Sequence, residues 1–115
     1  MLSIRRPQSI TIDLGDAGTF QASGFALPAR DGAALVEVLE NLTQAKTGAQ
    51  LADAVDQIAA VLARYVEDVQ EVVEIEQWPE TVDERVELLT LWPAEYLVTF
   101  ALSWTRGEAL GKPSE

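Results

Sequence analysis

Apolar and polar positions change period several times along the 115 residues, and each change marks an element. Ile10, Ile12 and Leu14 alternate with Thr11 and Asp13, the two-residue period of a half-buried strand. Gly15-Asp16-Ala17-Gly18 is a turn signal, and Phe20, Ala22 and Phe25 continue the apolar pattern beyond it. A β-hairpin over Ser9 to Phe25 is the expected result. Two strands alone are marginally stable, so the hairpin must pack on helices or on another chain. Residues 1–8 read as a flexible leader, because Pro7 would interrupt a strand there.

Past the hairpin the spacing widens to three and four. Asp31 is a candidate N-cap, its carboxylate placed to accept a bond from the first helical turn. Leu35, Val38, Leu39 and Leu42 form one face of a helix running to about Lys46, and Thr47-Gly48 ends it. Leu51, Val55, Ile58, Leu62 and Tyr65 form the face of a second helix, widened by Ala54, Ala59 and Val61. The next stretch is ambiguous. Val69, Val72 and Val73 would extend the helix, whereas Val73 to Trp78 alternates like a strand. The expected arrangement is a helix end near Val69 and an extended segment to Trp78.

Thr81-Val82-Asp83-Glu84 has the capping-box pattern, a threonine followed three residues later by glutamate. Val82, Val86 and Leu89 line one face of the helix it opens, with Leu88 beside them. Trp92-Pro93 stops this helix, since a residue before proline disfavours the helical region. Pro93 suits the first position of another helix. Leu97, Phe100, Ala101 and Trp104 give that helix its apolar stripe, and Gly107 suits its C-terminal end. The fold expected is mainly α: a small helical domain of about four helices with a short N-terminal β-hairpin. It forms one domain over residues 9–107, with a disordered tail over 108–115.

Composition narrows the chemistry. There are 19 acids against 8 bases, a formal net charge of −11. Such a surface repels nucleic acid and anionic membranes and suits a basic or apolar partner. Cysteine and histidine are absent, which removes disulfides, Cys/His zinc sites and the Ser-His-Asp and Cys-His constellations. No apolar core of signal-peptide length follows Arg5-Arg6, and no apolar run reaches the roughly 18 residues of a membrane helix. A soluble, cytoplasmic protein is expected.

The acids cluster from Glu67 to Glu87, with Arg85 the single base among them. The alternating-acid spacing of a calcium loop is absent, so a solvated face or a partner-binding face is the better reading. Asp83 and Glu87 share a helix face, but a catalytic acid needs burial or a coupled neighbour to shift its pKa. No enzyme activity, cofactor or metal site is expected. The aromatic residues read mostly as core. Leu89, Trp92, Tyr96, Phe100 and Trp104, around the helix break and the last helix, are the candidate partner-binding residues, because amphipathic rings there suit an interface.

This order of parts resembles the tail assembly chaperones of long-tailed bacteriophages. The resemblance covers roughly Ile10 to Gly107. It rests on Thr81 and Glu84, the Leu88-Leu89 pair, the Pro93 break and the apolar ending Leu97 to Trp104, read as LLTLWPAEYLVTFALS. It implies a mainly α-helical, non-enzymatic protein of the host cytoplasm. Its partners would be the tape measure protein, kept soluble by the chaperone, and the tail tube protein, recruited around it. It implies no nucleic acid or membrane partner and leaves room for a homo-oligomer. Glycine and lysine codons at Gly111-Lys112 would suit the ribosomal frameshifting common in the family. Two other classes fit the composition: a structural head-tail or tail virion protein, and an acidic inhibitor that mimics DNA.

Overall fold

The computed structural model describes residues 6–70 and 78–106. Strand β1 (Pro7–Asp13) and strand β2 (Thr19–Phe25) form the expected hairpin, in register from Pro7 opposite Phe25 to Asp13 opposite Thr19. A single 3-10 turn, Gly15–Ala17, joins them. Gly15 opens it and Gly18 follows it, with φ of 71° and 101°, left-handed values that favour glycine. Asp13 fixes the entry, its carboxylate accepting from Gly15 N at 2.9 Å. The strand begins at Pro7, inside the stretch read as a leader. Proline is tolerated there because it is the first residue of an edge strand.

Helix α1 (Ala29–Thr43) and helix α2 (Gly48–Tyr65) follow. Asp31 does not cap α1. The capping position is Pro28, and Asp31 sits in the first turn, where a negative charge meets the positive end of the helix dipole. Its carboxylate accepts a hydrogen bond from the Tyr65 hydroxyl, tying the start of α1 to the end of α2. Thr47, read as part of the stop of the first helix, caps the second: its hydroxyl accepts from Gln50 N at 3.1 Å.

The fold class requires correction. The chain is not a mainly α bundle with an appended hairpin. A third strand, β3 (Val66–Gln70), starts directly after Tyr65 and pairs antiparallel with β2, giving a three-stranded sheet in the order β1-β2-β3. The architecture is α+β. The helix therefore ends earlier than its valine spacing implies. Pairing with β2 bonds alternate backbone groups of Val66 to Gln70, and Val66 is completely buried in the core. The strand-like reading of 73–77 lies outside the described residues, as do Gly107 and the tail.

Helix α3 (Val82–Thr90) and helix α4 (Ala94–Arg106) complete the fold. Thr81 caps α3, accepting from Glu84 N at 3.3 Å while donating its hydroxyl proton to Glu84 Oε1 at 3.1 Å. The break at Trp92-Pro93 stands where expected, with one adjustment. Pro93 precedes α4, and its carbonyl accepts from Tyr96 N and Leu97 N, so it acts as the cap.

All four helices contribute to one core against one face of the sheet. Ile10, Ile12, Phe20 and Ala22 supply the sheet side, and Leu35, Ile58, Leu62, Leu89, Leu97, Phe100 and Trp104 the helix side. Phe20 stands edge-on to Phe100 at 5.1 Å and to Trp92 at 5.9 Å, and the last two stack. The opposite sheet face is polar: Ser9, Thr11, Gln21 and Ser23 form a hydrogen-bonded ladder across β1 and β2. The hairpin and the last helix are joined by Gln8, whose Nε2 donates to Trp104 O at 3.0 Å, and by Trp104, whose Nε1 donates to Phe25 O at 3.1 Å.

Two expected outcomes test this packing. A methyl group at Gly24 would overlap the Tyr65 carbonyl oxygen and lie 2.9 Å from Glu67 N, so Gly24→Ala should cost about 2 kcal/mol or more in thermal unfolding. Gly48→Ala, which meets nothing within 4 Å, should be neutral or stabilising. The second concerns pH. The hydrogen bond to Asp31, then burial and the Asp31 charge, raise the Tyr65 hydroxyl above its ordinary 10.0, with Arg64 opposing. A raised value means that this contribution to stability is complete below about pH 10 and is lost as pH rises through the folded-state value. A pH series of melting temperatures should show that alkaline loss in the native chain and a smaller one in Tyr65→Phe.

Candidate partner-binding groove

The expected client edge is not assembled as a surface. Leu89 and Phe100 are fully buried and Trp104 is 1% exposed, while Trp92 and Tyr96 are half-buried. The stripe on α4 is apolar because it packs on the sheet: Phe20 takes up Phe100 and Trp92, and Trp104 closes over the end of the hairpin. Helical spacing identified a covered face correctly as apolar, and the covering element is the hairpin of the same chain.

What remains open lies on the other side of α3. Trp78, Pro79, Glu80 and Thr81 lead into the helix, and Glu84, Glu87, Leu88 and Leu91 run along it. Together they line a cleft of about 630 Å³. Leu91 is 81% exposed, far more than any other large apolar residue described. Leu88 is half-buried, and Trp78 shows only 6% of its surface. The cleft thus combines an apolar set (Trp78, Pro79, Leu88, Leu91) with an acidic rim (Glu80, Glu84, Glu87), and no basic residue lines it among the described residues.

Arg85 builds this groove without lining it. Its Nε donates to Pro79 O at 2.7 Å, its Nη1 to Ala63 O and Val66 O at 3.2 and 3.3 Å, and its Nη2 to Glu80 O at 3.3 Å. The Nη2 contact to Glu67 O, at 3.5 Å, is marginal. The guanidinium also stands 5.7 Å from the centre of the Trp78 ring, within cation-π range. Trp78 Nε1 donates to Val66 O at 3.3 Å, so Arg85 and Trp78 converge on one carbonyl. Ala63 belongs to the last turn of α2, whose carbonyls lack helical partners and carry the negative end of the dipole. One cation satisfies that turn, the start of β3 and the loop before α3.

Among the described residues, no group of three or more acids is placed to hold a metal ion. Every buried side-chain nitrogen or oxygen among them has a hydrogen-bond partner. No described helix is long and apolar enough to cross a membrane. Sequence reasoning missed Trp78, Leu88 and Leu91 as a site. One signal was present: Leu91 lies off the Val82, Val86, Leu89 face and just before the break. Comparison with protein-family models, curated proteins and solved structures finds no match for this chain.

Removing Arg85 tests how the groove is held. Arg85→Met removes this donor from the carbonyls of Ala63, Pro79 and Glu80, leaves Val66 O with Trp78 Nε1 alone, and should cost about 2–4 kcal/mol in denaturant unfolding. Arg85→Lys keeps the charge but not the planar fork, and should recover at most roughly half of that loss.

Proposed function

We propose that this chain is a tail assembly chaperone of a long-tailed bacteriophage, a non-enzymatic protein acting in the host cytoplasm. It binds the tape measure protein and recruits tail tube subunits around it. The observation that supports this best is the groove on α3. It is a cleft with one exposed apolar anchor, Leu91, beside half-buried Leu88 and Pro79, and with an acidic rim, built on the segment that carries the family resemblance.

The physics of such a groove suits transient holding of a helical client. An amphipathic helix can place its apolar face on Leu88, Leu91 and Pro79, with anchors recurring every three or four residues. Glu80, Glu84 and Glu87 then attract basic residues along the flanks of that helix and speed the encounter, adding specificity more than affinity. The surplus negative charge keeps the chaperone itself dispersed. The client edge assigned from the sequence is replaced here by Leu88 and Leu91, with half-buried Trp92 next to Leu91 in the chain.

Co-expression with a tape measure protein from the same genome tests the reading. The two should co-purify, and the chain should be absent from finished particles. Leu91→Glu should weaken the association about tenfold or more while leaving the melting temperature within a degree or two, since an exposed side chain contributes little to folding. Recovery of the chain as a stoichiometric component of purified particles would instead make it a structural virion protein.

A further inference from the structure

The hairpin leaves one sheet edge whose hydrogen-bonding parity can be read from its two ends. Ala26 N donates to Arg6 O at 2.8 Å, and Leu14 N donates to Gly18 O at 2.9 Å. Both pairs continue the β1–β2 register. In an antiparallel pair, only alternate residues exchange N–H···O bonds with the neighbouring strand. Gln8, Ile10 and Ile12 therefore bond to β2. Ser9, Thr11 and Asp13 turn their backbone N–H and C=O groups the other way, to the outer edge of a sheet in which β1 is terminal among the described strands. Among the described residues, those groups have no hydrogen-bond partner. Natural edges are commonly blunted by lysine, a bulge or a covering element. Here β1 has no lysine, pairs with β2 without a register shift, and carries its proline only at the start.

We propose that this edge pairs antiparallel with β1 of a second copy of the chain, about a two-fold axis at Thr11. Thr11 faces its own counterpart, and Ser9 faces the other copy's Asp13. The N–H groups of Ser9, Thr11 and Asp13 in each copy then meet carbonyls of the other. On the core side, Ile10 falls beside the other copy's Ile12, so apolar meets apolar. On the outer side, Asp13 falls beside a serine, so no like charges stand opposite each other. Other registers are worse. Sliding toward the N-terminus calls on Pro7, which has no N–H. Sliding the other way runs the pairing into the turn and then sets the two Asp13 side chains together.

The self-pairing is weak and responds to salt in a definite direction. A single strand pair covers less surface than the roughly 1,200 Å² of a standard stable interface, so the dimer dissociates on dilution. Each copy carries a net charge of −11, and salt screens that repulsion, so the dimer tightens as ionic strength rises. Client binding in the acidic groove would weaken with salt, which separates the two surfaces.

Sedimentation of the full chain over a wide concentration range tests this. The expected result is a reversible dimer, strengthened by salt and abolished in Thr11→Pro. That variant should keep its circular dichroism spectrum, because the Thr11 N–H is not used among the described residues. The absence of native cysteine allows a second readout. Facing residues in such a pair have Cα atoms about 5.5 Å apart, within disulfide range. Thr11→Cys should therefore cross-link on mild oxidation, and Ala34→Cys, on an exposed position of α1, should not. A monomer at every concentration, or a dimer that survives Thr11→Pro, overturns the proposal. If Thr11→Pro fails to fold, the cysteine pair decides: equal cross-linking at both positions, or none at Thr11→Cys, overturns it.

Discussion

One guanidinium holds the second half of this fold in place. A helix that ends inside a domain must dispose of carbonyls that no longer have amide partners, and a loop that crosses it brings further carbonyls to the same spot. Arg85 meets both demands at once, reaching Ala63 at the end of α2, Val66 at the start of β3, and Pro79 and Glu80 in the loop before α3. Its planar fork can serve several acceptors in different directions, and its charge stays satisfied when half-buried. Trp78 is drawn into the same cluster through Val66 O and the cation-π contact. The strand, the loop and α3 are thus mutually positioned by one side chain in an otherwise acidic stretch.

The other half depends on aromatic packing. Phe20, on the sheet, receives Trp92 from the break and Phe100 from α4. Trp104 ends the helix against the carbonyl of Phe25, and Gln8 returns the contact from β1. The residues that make α4 look like a binding surface are therefore spent on closing the fold. The exposed apolar residue lies instead at the end of α3, where Leu91 is uncovered and the acids line up beside it.

Local signals carried much of this. Strand alternation at Ile10 and Ile12, the paired glycines of the turn, the Thr81 cap and the Trp92-Pro93 stop each act within a few residues, and each stands in the structure. The failures share one cause: they were settled by distant partners. Val66 to Gln70 is a strand because β2 offers an edge and because Arg85 and Trp78 take the Val66 carbonyl, none of which is visible from the valine spacing. Periodicity showed that Leu89, Phe100 and Trp104 share an apolar face, but could not tell a covered face from an open one. Leu91 was legible only as an apolar residue off its helix's stripe. Asp31 was misread in detail because its partner, Tyr65, belongs to the next helix.

The central claim is that α3, held by Arg85, presents the surface that takes a client. Hydrogen–deuterium exchange of the chain, alone and with the tape measure protein, tests it most directly. The account expects new protection over Trp78 to Leu91 and little change along α1. Protection confined to other elements, with Trp78 to Leu91 exchanging as in the free chain, would contradict it.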